Sequence, residues 1–186
     1  MKRLALAVSL VALMGAAQPP AATVQTVVGP VSWHGAGATT WQDARPGVGL
    51  LAGAVVRTGP RGMVRLRWVN GGEFRLDPLT EVTVAGRDGI DVSKGQAWAK
   101  FRSKLTVPFL FQSPSATAVI RGTVLGFGVD EAGGTHVDVQ EGHVGVRGRG
   151  GGPLMDVGPG KRVLVAPDGQ IGPVGPRGPD APSCNP

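Results

Sequence analysis

The side chains able to do chemistry are few: three histidines (His34, His136 and His143), one cysteine (Cys184) and a modest set of acids. A hydrolase needs a nucleophile, a base and an orienting group within reach of one another. No nucleophile-elbow pattern occurs and tyrosine is absent. His136 and His143, with Asp138 between them, invite a zinc reading. On an alternating hairpin, however, His143 falls opposite Gln140 and so about 13 Å from His136, too far to share one ion, and His136 is expected to face Arg147 instead. Gly126-Phe127-Gly128 lies inside an expected strand rather than ahead of a helix, so it is no phosphate loop. This inventory assigns no catalytic residue, no metal and no cofactor, and the expectation is a protein that is not an enzyme.

Two other constellations bear on binding. Arg121 interrupts an apolar run (Val119, Ile120, then Val124, Leu125, Phe127) beside Gly122, an expected bulge. A charge there must be paired. The favoured reading is a structural clamp onto Asp77, Glu81 or Glu141, which would make Arg121→Lys destabilising because lysine lacks the fork; the alternative is a ligand anchor. Lys100, Arg102 and Lys104, flanked by Trp98 and Phe101, form the densest basic stripe. It reads either as a strand edge protected by lysine or as a contact for anionic envelope polymers such as lipopolysaccharide phosphates or wall acids. Fourteen of the 19 basic residues are arginines interspersed with acids, which gives no nucleic-acid footprint.

The elements that must carry these residues are strands. Valine occurs 26 times against four glutamates and five lysines, and beyond the first seventeen residues no apolar period of 3.6 appears, so helical architectures are excluded. The 186 residues allow one ordinary domain. Glycine (31) and proline (16) make about a quarter of the chain, with a concentration at its end.

Residues 1–17 read as a secretory signal peptide. Lys2 and Arg3 form a basic start, Leu4 to Met14 an apolar run shorter than a spanning helix needs, and Gly15-Ala16-Ala17 a small-residue cleavage site. Cleavage after Ala17 leaves 17 basic against 13 acidic residues, a formal +4, and no integral membrane segment in the mature chain. The expected location is periplasmic or secreted. Cys184 has no second cysteine to pair with in the chain, so the fold must rest on burial.

From Val24 on, short alternating apolar runs are separated by glycine turns. Val64, Leu66 and Trp68 alternate with Arg65 and Arg67; Phe74 and Leu76 alternate with Glu73, Arg75 and Asp77. A three-residue Asn70-Gly71-Gly72 loop would set Trp68 opposite Phe74 and Leu66 opposite Leu76, with Arg65 against Asp77 and Arg67 against Arg75. A second hairpin is expected from Thr135–Gln140, turning at Glu141-Gly142, to His143–Arg147. Two more follow across Lys94-Gly95 (Ile90 and Val92 facing Ala97 and Ala99) and Gly158-Pro159-Gly160 (Val157 facing Val163 and Val165). The fold class is all-β, many short antiparallel strands stacked as a sandwich, a roll or a β-solenoid. The organisation is residues 1–17 signal peptide, 18–23 linker, 24–169 folded domain and 170–186 a disordered tail with three collagen-type triplets.

Three blocks of sequence resemble the FecR-like domain, named for the periplasmic regulator of ferric citrate transport. The first is Leu50–Gly59 with Met63–Pro78, the second Gln112–Thr123 continuing to Val129, and the third Val139–Val144 with Val157–Lys161. Arg121-Gly122-Thr123 is their most specific part, with Glu141-Gly142 in the closing block. Ala54 and Asn70 stand where the family usually has aspartate, and Ser113, Ile120, Leu125, Val157 and Lys161 also depart from its pattern. Regulators of this family that hold a sigma factor carry a cytoplasmic segment and a transmembrane helix before the domain. Only Met1-Lys2-Arg3 precedes the apolar run here. The resemblance thus implies an exported, non-catalytic all-β binding module contacting a partner protein or envelope polymer, not a direct anti-sigma factor. The alternatives are a sensor or accessory component of cell-surface signalling linked to sigma-factor regulation, and a small hydrolase.

Overall fold

The computed structural model describes residues 18–178. The expected signal peptide (1–17) and the end of the tail lie outside them. Seventeen strands follow in chain order: β1 (Ala22–Val28), β2 (Val31–His34), β3 (Gln42–Asp43), β4 (Gly49–Leu50), β5 (Val55–Thr58), β6 (Met63–Trp68), β7 (Glu73–Leu76), β8 (Glu81–Gly86), β9 (Gly89–Lys100), β10 (Phe109–Gln112), β11 (Ala116–Ile120), β12 (Val124–Val129), β13 (Thr135–Glu141), β14 (Val144–Gly148), β15 (Met155–Val157), β16 (Lys161–Val165) and β17 (Gly175–Pro176). The described residues contain no helix, and hence none long and apolar enough to cross a membrane.

Sheet 1 runs β4-β1-β6-β7-β9-β12-β13-β16-β17. Sheet 2 runs β3-β2-β5-β8-β9-β10-β11-β14-β15. All pairings are antiparallel except β9 with β10. The chain climbs this two-layered stack by stepping from sheet to sheet, mostly two strands at a time, and β9 belongs to both: its first half pairs with β8, its second with β7 and β12. The inward side chains of both sheets form one core. All five phenylalanines enter it with Trp68, in a chain of ring contacts from Trp68–Phe74 at 4.5 Å through Phe74–Phe109 at 5.3 Å to Phe111–Phe127 at 5.3 Å. Each such ring, wholly removed from water, stabilises the fold by about 2–3 kcal/mol.

This topology corrects three of the four expected hairpins. β13 and β14 do not pair: β13 lies in sheet 1 between β12 and β16, and β14 in sheet 2 between β11 and β15. Glu141-Gly142-His143 is therefore a corner between layers. Val137, Val139, Val144 and Val146 are all buried, as their alternation requires, but they meet across the core rather than along one ribbon. Gly95 likewise lies within the continuous β9, and Val157 and Val163 belong to opposite sheets.

The β6–β7 hairpin exists with its register moved by two. Its three-residue loop is Val69-Asn70-Gly71, so Leu66 faces Phe74, Val64 faces Leu76, Arg65 faces Arg75 and Arg67 faces Glu73. Trp68 and Gly72 close it by N–H to O bonds of 2.8 Å (Trp68 to Gly72) and 2.9 Å (Gly71 to Trp68). Gly71 carries φ +86°, the left-handed residue that ends such a loop, and the Asn70 carboxamide accepts from the Gly72 N–H at 3.2 Å. A Cβ on Gly71 would meet nothing within 4 Å. Gly71→Ala should therefore cost only the backbone penalty, about 1 kcal/mol, seen as a small drop in the denaturation midpoint with the slope unchanged.

The described part of the tail is not disordered. Gly175 and Pro176 pair with Arg162 and Lys161, Ile171 bridges Val165, and the Arg177 N–H donates to Gly160 at 2.9 Å. Glycine-proline composition suggested a free chain; an edge strand tolerates proline because its outer N–H would face solvent anyway.

Candidate functional site

Three chain connections meet at one cleft. The first, residues 101–104, leaves β9; the second, Arg121-Gly122-Thr123, joins β11 to β12; the third, Gly142-His143, joins β13 to β14. Backbone bonds tie the first two together, Phe101 N–H to Thr123 O (3.0 Å) and Leu105 N–H to Arg121 O (2.9 Å). The packing leaves no room for side chains at the joints. A Cβ at position 122 would lie 3.1 Å from Lys104 Cα, and one at 142 would lie 2.8 Å from Gly122 O. The cleft encloses about 770 Å³, and a neighbouring hollow of about 400 Å³ shares Lys104 and Arg121 with it.

Its walls carry opposite charge. Lys104 and Arg121 project from one side, both exposed, while Arg102 is held by Glu73 at 3.2 and 3.3 Å. Glu141, His143 and Asp156 stand on the other. His143 Nδ1 lies 2.8 Å from Asp156 Oδ2, and both side chains are largely in water. Val119 and the half-exposed Leu154 supply apolar surface. The arrangement suits recognition of a partner with both charges and some apolar area.

Of the nine residues singled out in the sequence, Arg121, Gly122, Thr123, Glu141, Gly142, Arg102 and Lys104 gather at this cleft. Arg121 is exposed and reaches none of Asp77, Glu81 or Glu141, which corrects the clamp: the chain bends out at Gly122 and carries the guanidinium to solvent. Lys100 is half-buried on β9, outside the cleft lining. Trp98 is 2% exposed and belongs to no surface stripe. Leu154 and Asp156 were missed, because they enter through β15, whose pairing with β14 no short-range signal announces.

The histidines are also placed differently. His136 faces Gln96, Nε2 to Oε1 at 2.7 Å, rather than Arg147. Burial holds its imidazole below the ordinary 6.5, and Arg162 adds to this while Asp138 and Asp130 oppose it. The unfolded chain thus takes up the proton first. His136 contributes stability that is complete above pH 6.5 and is lost as the pH falls through the lowered folded-state value. Melting temperatures measured downward from neutral pH should fall less steeply in His136→Gln than in the parent chain.

Residues 54–145 match the family model described as FecR protein. The chain carries a FecR domain. The matched span runs from just before β5 to the start of β14 and includes both signature corners of the cleft, Arg121-Gly122-Thr123 and Glu141-Gly142. Two crystal structures of a proposed anti-sigma factor from Parabacteroides distasonis ATCC 8503 share the fold of this FecR domain, with TM-scores of 0.57 and 0.56 at 16% and 17% identity, each over 66% of this chain. The chain spans 59% of those structures' length. No curated protein matches the sequence.

Proposed function

We propose that the FecR domain is an exported, non-catalytic binding module that holds a partner protein in the cleft between Lys104 and Arg121 on one side and Glu141 and Asp156 on the other. The observation that carries this reading is the convergence of three connections on one cleft whose Lys104 and Arg121 make no side-chain bond among the described residues. Two such cations spend nothing on the fold, and at a rim they steer an approaching acidic surface. The family match and the name given to the Parabacteroides distasonis structures support a place in cell-surface signalling, with a membrane partner to carry the message. An anionic envelope polymer is the competing occupant.

A photo-crosslinking side chain at Arg121 or Leu154 should trap one discrete protein in intact cells, and Lys104→Glu should abolish the product. The same group at Leu79, exposed but outside the cleft, should trap nothing. Wall or lipid material recovered from Arg121 would replace the protein reading with the polymer one, and equal products from Leu79 would remove the cleft from the account. Recovery of an inner-membrane regulator would place the module in signalling. Detection of the mature chain in the periplasmic fraction tests export separately.

A further inference from the structure

The outward face of sheet 1 carries a ladder of paired positions at one level: Arg75 on β7, Trp98 on β9, Gly126 on β12, Asp138 on β13, Arg162 on β16 and Gly175 on β17. An outward face is ordinarily wet, yet Trp98 is 2% and Asp138 1% exposed. Gly126 makes room for the indole, since a Cβ there would lie 2.5 and 2.7 Å from its ring carbons. The indole N–H donates to Asp77 Oδ2 at 2.7 Å, and Arg75 donates to the other Asp77 oxygen at 2.8 Å, which fixes the ring plane. Over this ring, 5.8 Å from its centroid and 4.0 Å from Asp138 Oδ1, lies the largely buried Arg177.

We propose that this face is a guanidinium-recognition site, filled in the resting chain by Arg177, and open to an arginine-bearing extended segment of a partner when residues 171–178 lift away. Receptor and occupant differ in how they are held. The receptor side chains of β7, β9, β12 and β13 stand on strands paired on both flanks, and β16 is laddered along its inner flank to β13. The occupant's backbone is held by a two-residue strand, one bridge and a few further bonds, beside the contacts of the Arg177 side chain itself. Pro173 and Pro176 lack the N–H that a longer ladder along β16 would need. A partner strand without prolines can bond β16 over its whole length and set its own arginine over Trp98, which is strand addition with a side-chain pocket supplying the selectivity. The aromatic face and the Asp138 carboxylate favour arginine over lysine, whose point charge is more strongly hydrated. No residue of this face lines the cleft assigned above.

The test uses the full chain with Arg177→Ala and a labelled, end-blocked peptide of residues 171–178. The peptide should bind the variant about tenfold more tightly than the parent chain, whose site is filled, and lose about tenfold when its arginine is replaced by alanine. Equal binding to both proteins, binding indifferent to the arginine, or no binding would overturn the proposal. Hydrogen exchange on the unaltered chain gives a second reading free of any folding defect. Excess arginine peptide should speed exchange at the Gly172 and Arg177 amides, which donate to Leu164 and Gly160. Unchanged exchange would equally overturn it.

Discussion

Replacing Arg162 with methionine is expected to lower the stability of the fold by about 3 kcal/mol, roughly 10 °C in Tm. Asp138 lies in the outward face of β13 with 1% of its side chain exposed, and it accepts two bonds from Arg162, at 2.6 Å from Nε and 2.9 Å from Nη2. This pairing raises the Arg162 pKa further, through the hydrogen bond first, so the guanidinium keeps its charge. Without Arg162 the nearest cation is Arg177 at 4.0 Å, which cannot replace a bidentate fork. A buried carboxylate without its partner keeps the full cost of leaving water. The pair itself need not stabilise the chain relative to apolar residues of similar volume. The double variant Asp138→Leu with Arg162→Met should accordingly recover most of the loss. Denaturant midpoints of the parent, both single variants and the double variant check this; two single-variant losses that simply add would show that the carboxylate does not depend on Arg162.

That ion pair also marks the limit of what the sequence made legible. Alternation named the buried set well: Val64, Leu66, Phe74, Leu76, Val137, Val139, Val144, Val146 and Val157 are all within the core. It could not name their partners. Two apolar arms around a glycine alternate identically whether they fold back as a hairpin or turn a corner into the facing sheet, because both bury every second residue. Glu141-Gly142 and Gly158-Pro159-Gly160 are such corners, and Gly95 is a bend within one strand. The sequence likewise offered Asp138 only as a companion of two histidines. Its true partner, Arg162, is placed beside it by the β13–β16 pairing, 24 residues away. The cleft was half legible for the same reason: Arg121, Glu141 and the basic stripe stood out locally, while their meeting depended on corners.

Gly95→Ala should be far more damaging than Gly71→Ala, at about 4 kcal/mol, with loss of soluble protein on expression at elevated temperature. Gly95 is the point where β9 stops pairing with β8 and continues in sheet 1 against β12. It has φ +83°, nearly that of Gly71 at +86°. The two differ in surroundings. A Cβ on Gly95 would fall 2.5 Å from Thr80 Cα and 2.8 Å from Leu79 O, backbone atoms fixed by the Thr80 hydroxyl, which accepts from the Gln96 N–H at 2.9 Å, and by Thr58, whose Oγ1 accepts from the Thr80 N–H at 2.9 Å. The one side-chain atom as close, Thr80 Oγ1 at 2.5 Å, is tied by that Gln96 bond, so moving it aside would not relieve the two backbone contacts. The backbone penalty is thus common to both alanine variants, about 1 kcal/mol, and the remainder at Gly95 measures the close approach of the 78–80 turn to the strand that joins the two sheets. Equal losses in the two variants would mean that this approach relaxes freely, and that Gly95 serves only the backbone turn.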